Sequence, residues 1–287
     1  MHDPHPLPGR DVVVNGVRLR VVLHGRGGGL PILLVHGLPA TSYLWRNVMR
    51  DLESKTSTVA ADLVGLGWSE RPAKPGYRLA EQAVLLLGLL DELGLDRVMV
   101  AGQDEGGAVG LHLAALAPER VAGLALLGSA VHTDAWPAPV AVPFLLPGLG
   151  DLLAGLLRHP GPAARVVAAA LGPLPPVELR HYVAPLVAPG GARGLLRLVR
   201  SVDLSGTESA VKILGSGLPP TLVLWGTEDR VRSAAYGRRL ADELPGAAFV
   251  PVSGGGHLLP QEWPERVAEE LAGFVAELHA PAQSADQ

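Results

Sequence analysis

Residues 98–107 read Val-Met-Val-Ala-Gly-Gln-Asp-Glu-Gly-Gly, and no other run constrains the fold as tightly. An apolar stretch of β type leads into Gly102-x-Asp104-x-Gly106-Gly107, and helix-compatible residues follow. A chain turning this sharply from strand to helix needs small residues beside the tip, because the backbone there is strained and closely packed. Gly102, Gly106 and Gly107 meet that need. Asp104 is then presented at the C-terminal end of a strand, beside a helix N-terminus whose N–H groups favour an anion. The plainer reading is a capping aspartate in an ordinary βα turn.

The rest of the chain supplies the frame that such a turn requires. Apolar runs at 12–14, 17–23, 31–35, 58–61, 97–101, 121–127, 221–225 and 248–252 read as strands. Asn15-Gly16 is a hairpin signal between the first two. Helical patterns at 79–93, 108–117 and 264–278 lie between or after the others. Strands alternating with helices predict an α/β fold, a mostly parallel central sheet with helices on both faces. The alternation breaks between 131 and 217, where Ala, Leu, Pro and Gly dominate and the pattern is helical. This segment is expected to be an inserted helical cap, with the core at 1–130 and 218–287 and flexible ends at 1–10 and 280–287. At 287 residues, 48% hydrophobic and 18% charged, the chain is large enough for one such domain.

Composition excludes several classes of function. A formal charge of −4 without a basic stripe argues against nucleic-acid partners. The absence of cysteine excludes disulfides and thiolate metal sites. The first residues lack a signal-peptide pattern, and no charge-free apolar run reaches about 18 residues. The expected location is the cytoplasm, and monomer and homodimer are both open.

Further candidate residues follow Asp104 in a suggestive order. A strand ends in Thr227-Glu228-Asp229, and another leads to Gly254-Gly255-Gly256-His257. Nucleophile, acid, histidine is the chain order of the α/β-hydrolases. In that arrangement Asp229 fixes the imidazole tautomer and His257 activates water, with Glu228 the less favoured acid. After the strand at 31–35, His36-Gly37-Leu38-Pro39 can aim the Leu38 N–H at the site, with the Glu105 N–H as second oxyanion-hole donor. His36 reads as a loop brace; His112, His132 and His181 read as surface or core residues.

These motifs resemble the haloalkane dehalogenase and epoxide hydrolase branch of the α/β-hydrolases over residues 10–130 and 218–278. The resemblance is carried by His36-Gly37-x-Pro39-x-Thr41-Ser42-Tyr43-Leu44-Trp45-Arg46-Asn47, by Asp62-x-x-Gly65-x-Gly67-x-Ser69 and by the Asp104 turn. It implies attack of Asp104 on an alkyl carbon, then hydrolysis of the resulting ester by water activated at His257, with no cofactor or metal. Two departures stand out. Glu105 and Leu38 replace the side chains that bind halide in the dehalogenases. Tyr182 is the one cap tyrosine, and Val199 stands where the epoxide hydrolases carry a second. Trp136 near the cap entrance is a possible replacement donor, Tyr182 a possible proton donor.

Two orientations of Glu105 are open. Turned inward, it lies beside Asp104 and one of the two carboxyls holds a proton: a protonated Glu105 can donate to an opening epoxide, whereas a protonated Asp104 weakens nucleophilic catalysis and favours a non-hydrolytic role. Turned outward, it meets solvent or an arginine such as Arg71. The expected function is a hydrolase of hydrophobic small molecules at an electrophilic saturated carbon, with epoxide opening favoured. Carbon–halogen hydrolysis is the alternative, as is a non-hydrolytic cyclase, lyase or isomerase; a receptor or esterase role ranks below these.

Overall fold

The computed structural model describes residues 7–73 and 76–279. Of the ends expected to be flexible, 1–6 and 280–287 lie outside those residues, while Arg10 already begins the first strand. β1 (Arg10–Val14) and β2 (Val17–His24) form a hairpin across Asn15 and Gly16, both at positive φ, 51° and 79°. Such a turn matches the right-handed twist of its strands.

β3 (Ile32–Val35), β4 (Thr58–Ala61), β5 (Val98–Gln103), β6 (Val121–Leu127), β7 (Thr221–Gly226) and β8 (Ala248–Val252) complete one sheet in the order β1-β2-β4-β3-β5-β6-β7-β8. β1, β2 and β4 pair antiparallel; every other pairing is parallel. Every residue of β3 to β7 is buried, which is why these strands read as continuous apolar runs.

Helices cover both faces. α1 (Arg46–Leu52), α2 (Leu79–Glu92) and α3 (Glu105–Leu116) follow β3, β4 and β5. Six helices lie between β6 and β7: α4 (Val142–Leu145), α5 (Leu149–Leu156), α6 (Pro160–Leu171), α7 (Pro176–Val187), α8 (Gly191–Ser201) and α9 (Leu204–Leu214). α10 (Ala234–Glu243), α11 (Leu259–Glu262) and α12 (Pro264–His279) close the chain. On β6, Gly123 faces Phe274 and Leu278 of α12, while Leu124 faces Gly110 of α3. Successive strand residues point to opposite faces, so α3 and α12 lie on opposite sides of the sheet.

α9, the last helix of the expected insert, packs on α3, where Thr207 and His112 meet at 3.3 Å. Ahead of it come α4 to α8. They are tied down by an Arg46–Glu178 ion pair of 2.9 Å and by Arg197, which donates to the Pro72 carbonyl at 2.7 Å.

The turn after β5 has the predicted strain. Asp104 sits at φ 56° and ψ −125°, and α3 begins at the next residue. A Cβ on Gly102 would strike the Gly106 and Gly107 backbone, one on Gly106 the Val35 carbonyl, and one on Gly107 the Ser129 side chain. Crowding at these glycines holds Asp104 in a conformation that residues with a side chain rarely adopt. Gly107→Ala should therefore lower stability by about 1–3 kcal/mol in denaturant unfolding. Ser129→Gly in the same chain should recover part of that loss, and an unchanged unfolding midpoint for Gly107→Ala would refute this packing account.

Candidate active site

Four strand exits bring the expected residues together. Leu38 follows β3, Asp104 follows β5, Asp229 follows β7 and His257 follows β8, all at the C-terminal ends of parallel strands. His257 Nδ1 lies 2.9 Å from Asp229 Oδ2. Asp229 Oδ1 accepts the Val231 and Arg232 N–H groups, each at 2.8 Å. Asp229 thus both caps the turn that follows it and orients the imidazole. Glu228 is exposed, and among the described residues it makes only a backbone bond to the Gly255 carbonyl.

With the proton on Nδ1, His257 Nε2 offers its lone pair on the side of Asp104, 3.9 Å from Oδ1 and too far for a direct bond. Gln103, which the sequence reading did not single out, places its amide nitrogen 3.3 Å from the same Nε2. Glu262 grips both sides of the histidine, its carboxylate accepting the Gly256 N–H at 2.6 Å and the Leu258 N–H at 3.1 Å.

Glu105 is buried and turns inward. Its Oε2 accepts the Leu38 N–H at 3.0 Å, so this expected oxyanion donor is engaged by a side chain. Arg71, the outward alternative, instead donates to the Gly67 and Pro185 carbonyls. The cation that meets Glu105 is Arg232, which sequence reasoning missed. Arg232 Nη1 contacts Asp104 Oδ1 and donates to the Gly128 carbonyl at 3.1 Å; Nη2 lies 3.5 Å from Glu105 Oε1. Its Nε is buried without a hydrogen-bond partner.

Two carboxylates and one guanidinium in a dry site divide their charge unequally. Burial, then the Asp104 charge and the hydrogen bond to Asp104, push the Glu105 carboxyl well above the usual range, against the pull of Arg232 and the Leu38 N–H. Burial would also raise Asp104, but Arg232, the hydrogen bond from Glu105 and His257 outweigh it and hold that carboxyl low. Arg232 loses stability as a cation through burial and regains more from Asp104 and Glu105. These directions favour the ionised form of Asp104, the protonated form of Glu105 and the cation of Arg232.

A cavity of about 270 Å³ opens above these groups. Trp136, Phe144, Val166, Leu195 and Val199 are among its lining residues. Tyr182 does not line it. Its ring packs edge-on against Tyr43 at 5.6 Å, and its hydroxyl donates to Gln261 Oε1 at 3.2 Å, so the expected proton-donor position is unfilled by this residue. His36 is the loop brace expected of it, its Nδ1 donating to the Gly37 carbonyl and its Nε2 accepting the Leu63 N–H. Burial lowers its pKa and keeps it neutral.

Comparison with known proteins agrees with this architecture. A family model described as alpha/beta hydrolase fold matches residues 31–171. The chain is similar to a 2-hydroxymuconate semialdehyde hydrolase of Pseudomonas sp. (strain CF600), 30% identical over 99% of this chain and 100% of that one. It is also similar to haloalkane dehalogenase 2 of Mycobacterium tuberculosis, 28% identical over 94% of this chain and 96% of that one. Among solved structures, the haloalkane dehalogenase DbeA from Bradyrhizobium elkani superposes with a TM-score of 0.78 at 28% identity, over 94% of this chain and 97% of that one. The chain belongs to the α/β-hydrolase fold family, alongside haloalkane dehalogenases, and is an enzyme of the hydrolase type.

The shared proton has a thermodynamic signature. A carboxyl held above its ordinary range stabilises the fold fully below its unfolded pKa, near 4.5, and that contribution is lost as pH rises toward the folded value. Across this window the wild type should lose roughly 1 kcal/mol per pH unit relative to Glu105→Gln. Unfolding curves measured at several pH values would contradict the assignment if the two proteins ran parallel.

Proposed function

We propose that the protein hydrolyses an electrophilic saturated carbon through an Asp104 ester, and that epoxide opening is its favoured reaction. The observation that carries this reading is the Glu105 carboxylic acid held against Asp104, Arg232 and the Leu38 N–H. It supplies a proton donor in a cavity that Tyr182 does not reach.

In the first step an Asp104 oxygen attacks an epoxide carbon. The C–O bond breaks, and its electron pair goes to the oxygen, which takes the Glu105 proton. As Asp104 becomes a neutral ester, the charge that raised the Glu105 pKa disappears. Glu105 becomes a stronger acid when a proton is needed, and its new negative charge falls to Arg232. The net charge of the buried group stays constant, so no uncompensated charge is created in a poorly solvated site.

In the second step His257 takes a proton from water, and the hydroxide adds to the ester carbonyl carbon of Asp104. Collapse releases the second alcohol, protonated by His257, and leaves Asp104 as a carboxylic acid. That acid returns its proton to Glu105 and restores the resting state. The sum is epoxide plus water to diol. The Glu105 N–H serves the tetrahedral oxyanion in this step. The Leu38 N–H serves it through the Glu105 carboxyl, which it holds in place.

Arg232 also favours a second reading. Its cation beside Asp104 could hold a departing halide where Leu38 offers no side-chain donor, and haloalkane dehalogenases are among the relatives. The two reactions differ in their need for the Glu105 proton. With a terminal epoxide in labelled water, wild type under single turnover should place label in the Asp104 carboxylate, and Asp104→Asn should form no ester. Glu105→Gln should slow ester formation from the epoxide by about 10²–10⁴. An unlabelled Asp104, or a Glu105→Gln variant as fast as wild type, would defeat the proposal. Halide release from a bromoalkane that survives Glu105→Gln would favour the second reading.

A further inference from the structure

Besides His257, four ionisable side chains line the cavity: Asp104, Glu105, Arg230 and Arg232. Three are matched. Asp104 meets Arg232, Glu105 faces Arg232 and accepts the Leu38 N–H, and Arg232 contacts both carboxyls. Asp229, just behind the wall, is satisfied by His257 and two backbone N–H groups. Arg230 has no hydrogen-bond or ion-pair partner among the described residues. It is exposed and lines the cavity, so it stands where the cavity meets solvent. The lining residues from Trp136 through Phe144 and Val166 to Val199 are carbon-rich and carry no charge.

An apolar chamber with a reactive carboxylate inside and an unmatched guanidinium at its opening suits a molecule of the same polarity. We propose that the substrate is an anionic amphiphile, its apolar chain in the cavity and a carboxylate paired with Arg230 at the opening. Its electrophilic carbon would then lie toward Asp104. The planar fork of arginine matches a carboxylate through two parallel hydrogen bonds, and the rigid pairing sets how deep the chain reaches. The inference rests on Asp104 as the nucleophile only for the position of the reacting carbon; the anion site stands on Arg230 itself.

Binding of octanoate and of octanol to the wild-type protein, measured by calorimetry, separates charge from chain. Octanoate should bind about fivefold more tightly, the upper end for a solvent-accessible ion pair. The preference should shrink with added salt, vanish in Arg230→Gln and survive in part in Arg230→Lys. Because Arg230 is exposed and unpartnered, its replacement leaves the packing untouched. Equal affinity for the two probes, or a preference that persists in Arg230→Gln, would overturn the proposal.

Turnover of a terminal epoxide of octanoic acid and of its methyl ester completes the test. The ratio of their kcat/KM values should favour the acid in wild type and approach one in Arg230→Gln. An Asp104 ester formed equally well from both, with equal affinity for octanoate and octanol, would sink the anion site and leave the catalytic reading intact. A clear octanoate preference without any Asp104 ester would sink the catalytic reading alone.

Discussion

Two carboxylates, Asp104 and Glu105, share one buried guanidinium, and the rest of the site depends on that unequal sharing. One cation can balance one anion, so the second carboxyl is pushed toward its protonated form. Arg232 contacts Asp104 directly and lies 3.5 Å from Glu105, which decides the assignment. In a site of low effective dielectric, such differences in distance are worth several times what they are in water. The consequence is chemical. In the proposed reaction a nucleophile, an acid and a cation stand side by side, and alkylation of the first would strengthen the second without changing the total charge.

The fold makes this sharing possible at two places. At the exit from β5, crowded glycines force a positive φ at Asp104 and start α3 at Glu105, so two adjacent residues both reach the cavity. At the exit from β7, Asp229 uses one oxygen to orient His257 and the other to hold the Val231 and Arg232 N–H groups. One aspartate therefore positions His257 and the loop that delivers the cation. The parallel pairing of β5, β6 and β7 brings these exits to the same, C-terminal, end of the sheet.

Much of this was legible in the chain because it depends on local rules. Continuous apolar runs marked the buried strands β3 to β7, Asn15-Gly16 marked the hairpin, and the glycines around Asp104 marked the turn. The order Asp104, Asp229, His257 pointed to one constellation. What escaped notice depends on side chains that meet across long separations. Arg232 reaches a partner 128 positions away, and the only signal was an arginine three residues past the acid. Tyr182 has the right chemistry, but α7 packs its ring into the Tyr43 and Gln261 contacts. The packing of α9 on α3 is another such meeting, since α9 is as helical in pattern as the segment before it. The inward turn of Glu105 was one of two alternatives, and the choice rested on Arg232.

The protonation state of Glu105 tests this account most directly. Carbon-13 labelling of the glutamate side-chain carboxyls, with Glu105→Gln to assign the signal, allows that carboxyl to be followed by NMR as pH is raised. The account predicts that Glu105 keeps its proton up to neutral pH, far past the titration of the exposed glutamates, and that Arg232→Gln changes its titration. A Glu105 carboxyl already ionised at neutral pH, titrating together with the exposed glutamates, would contradict it.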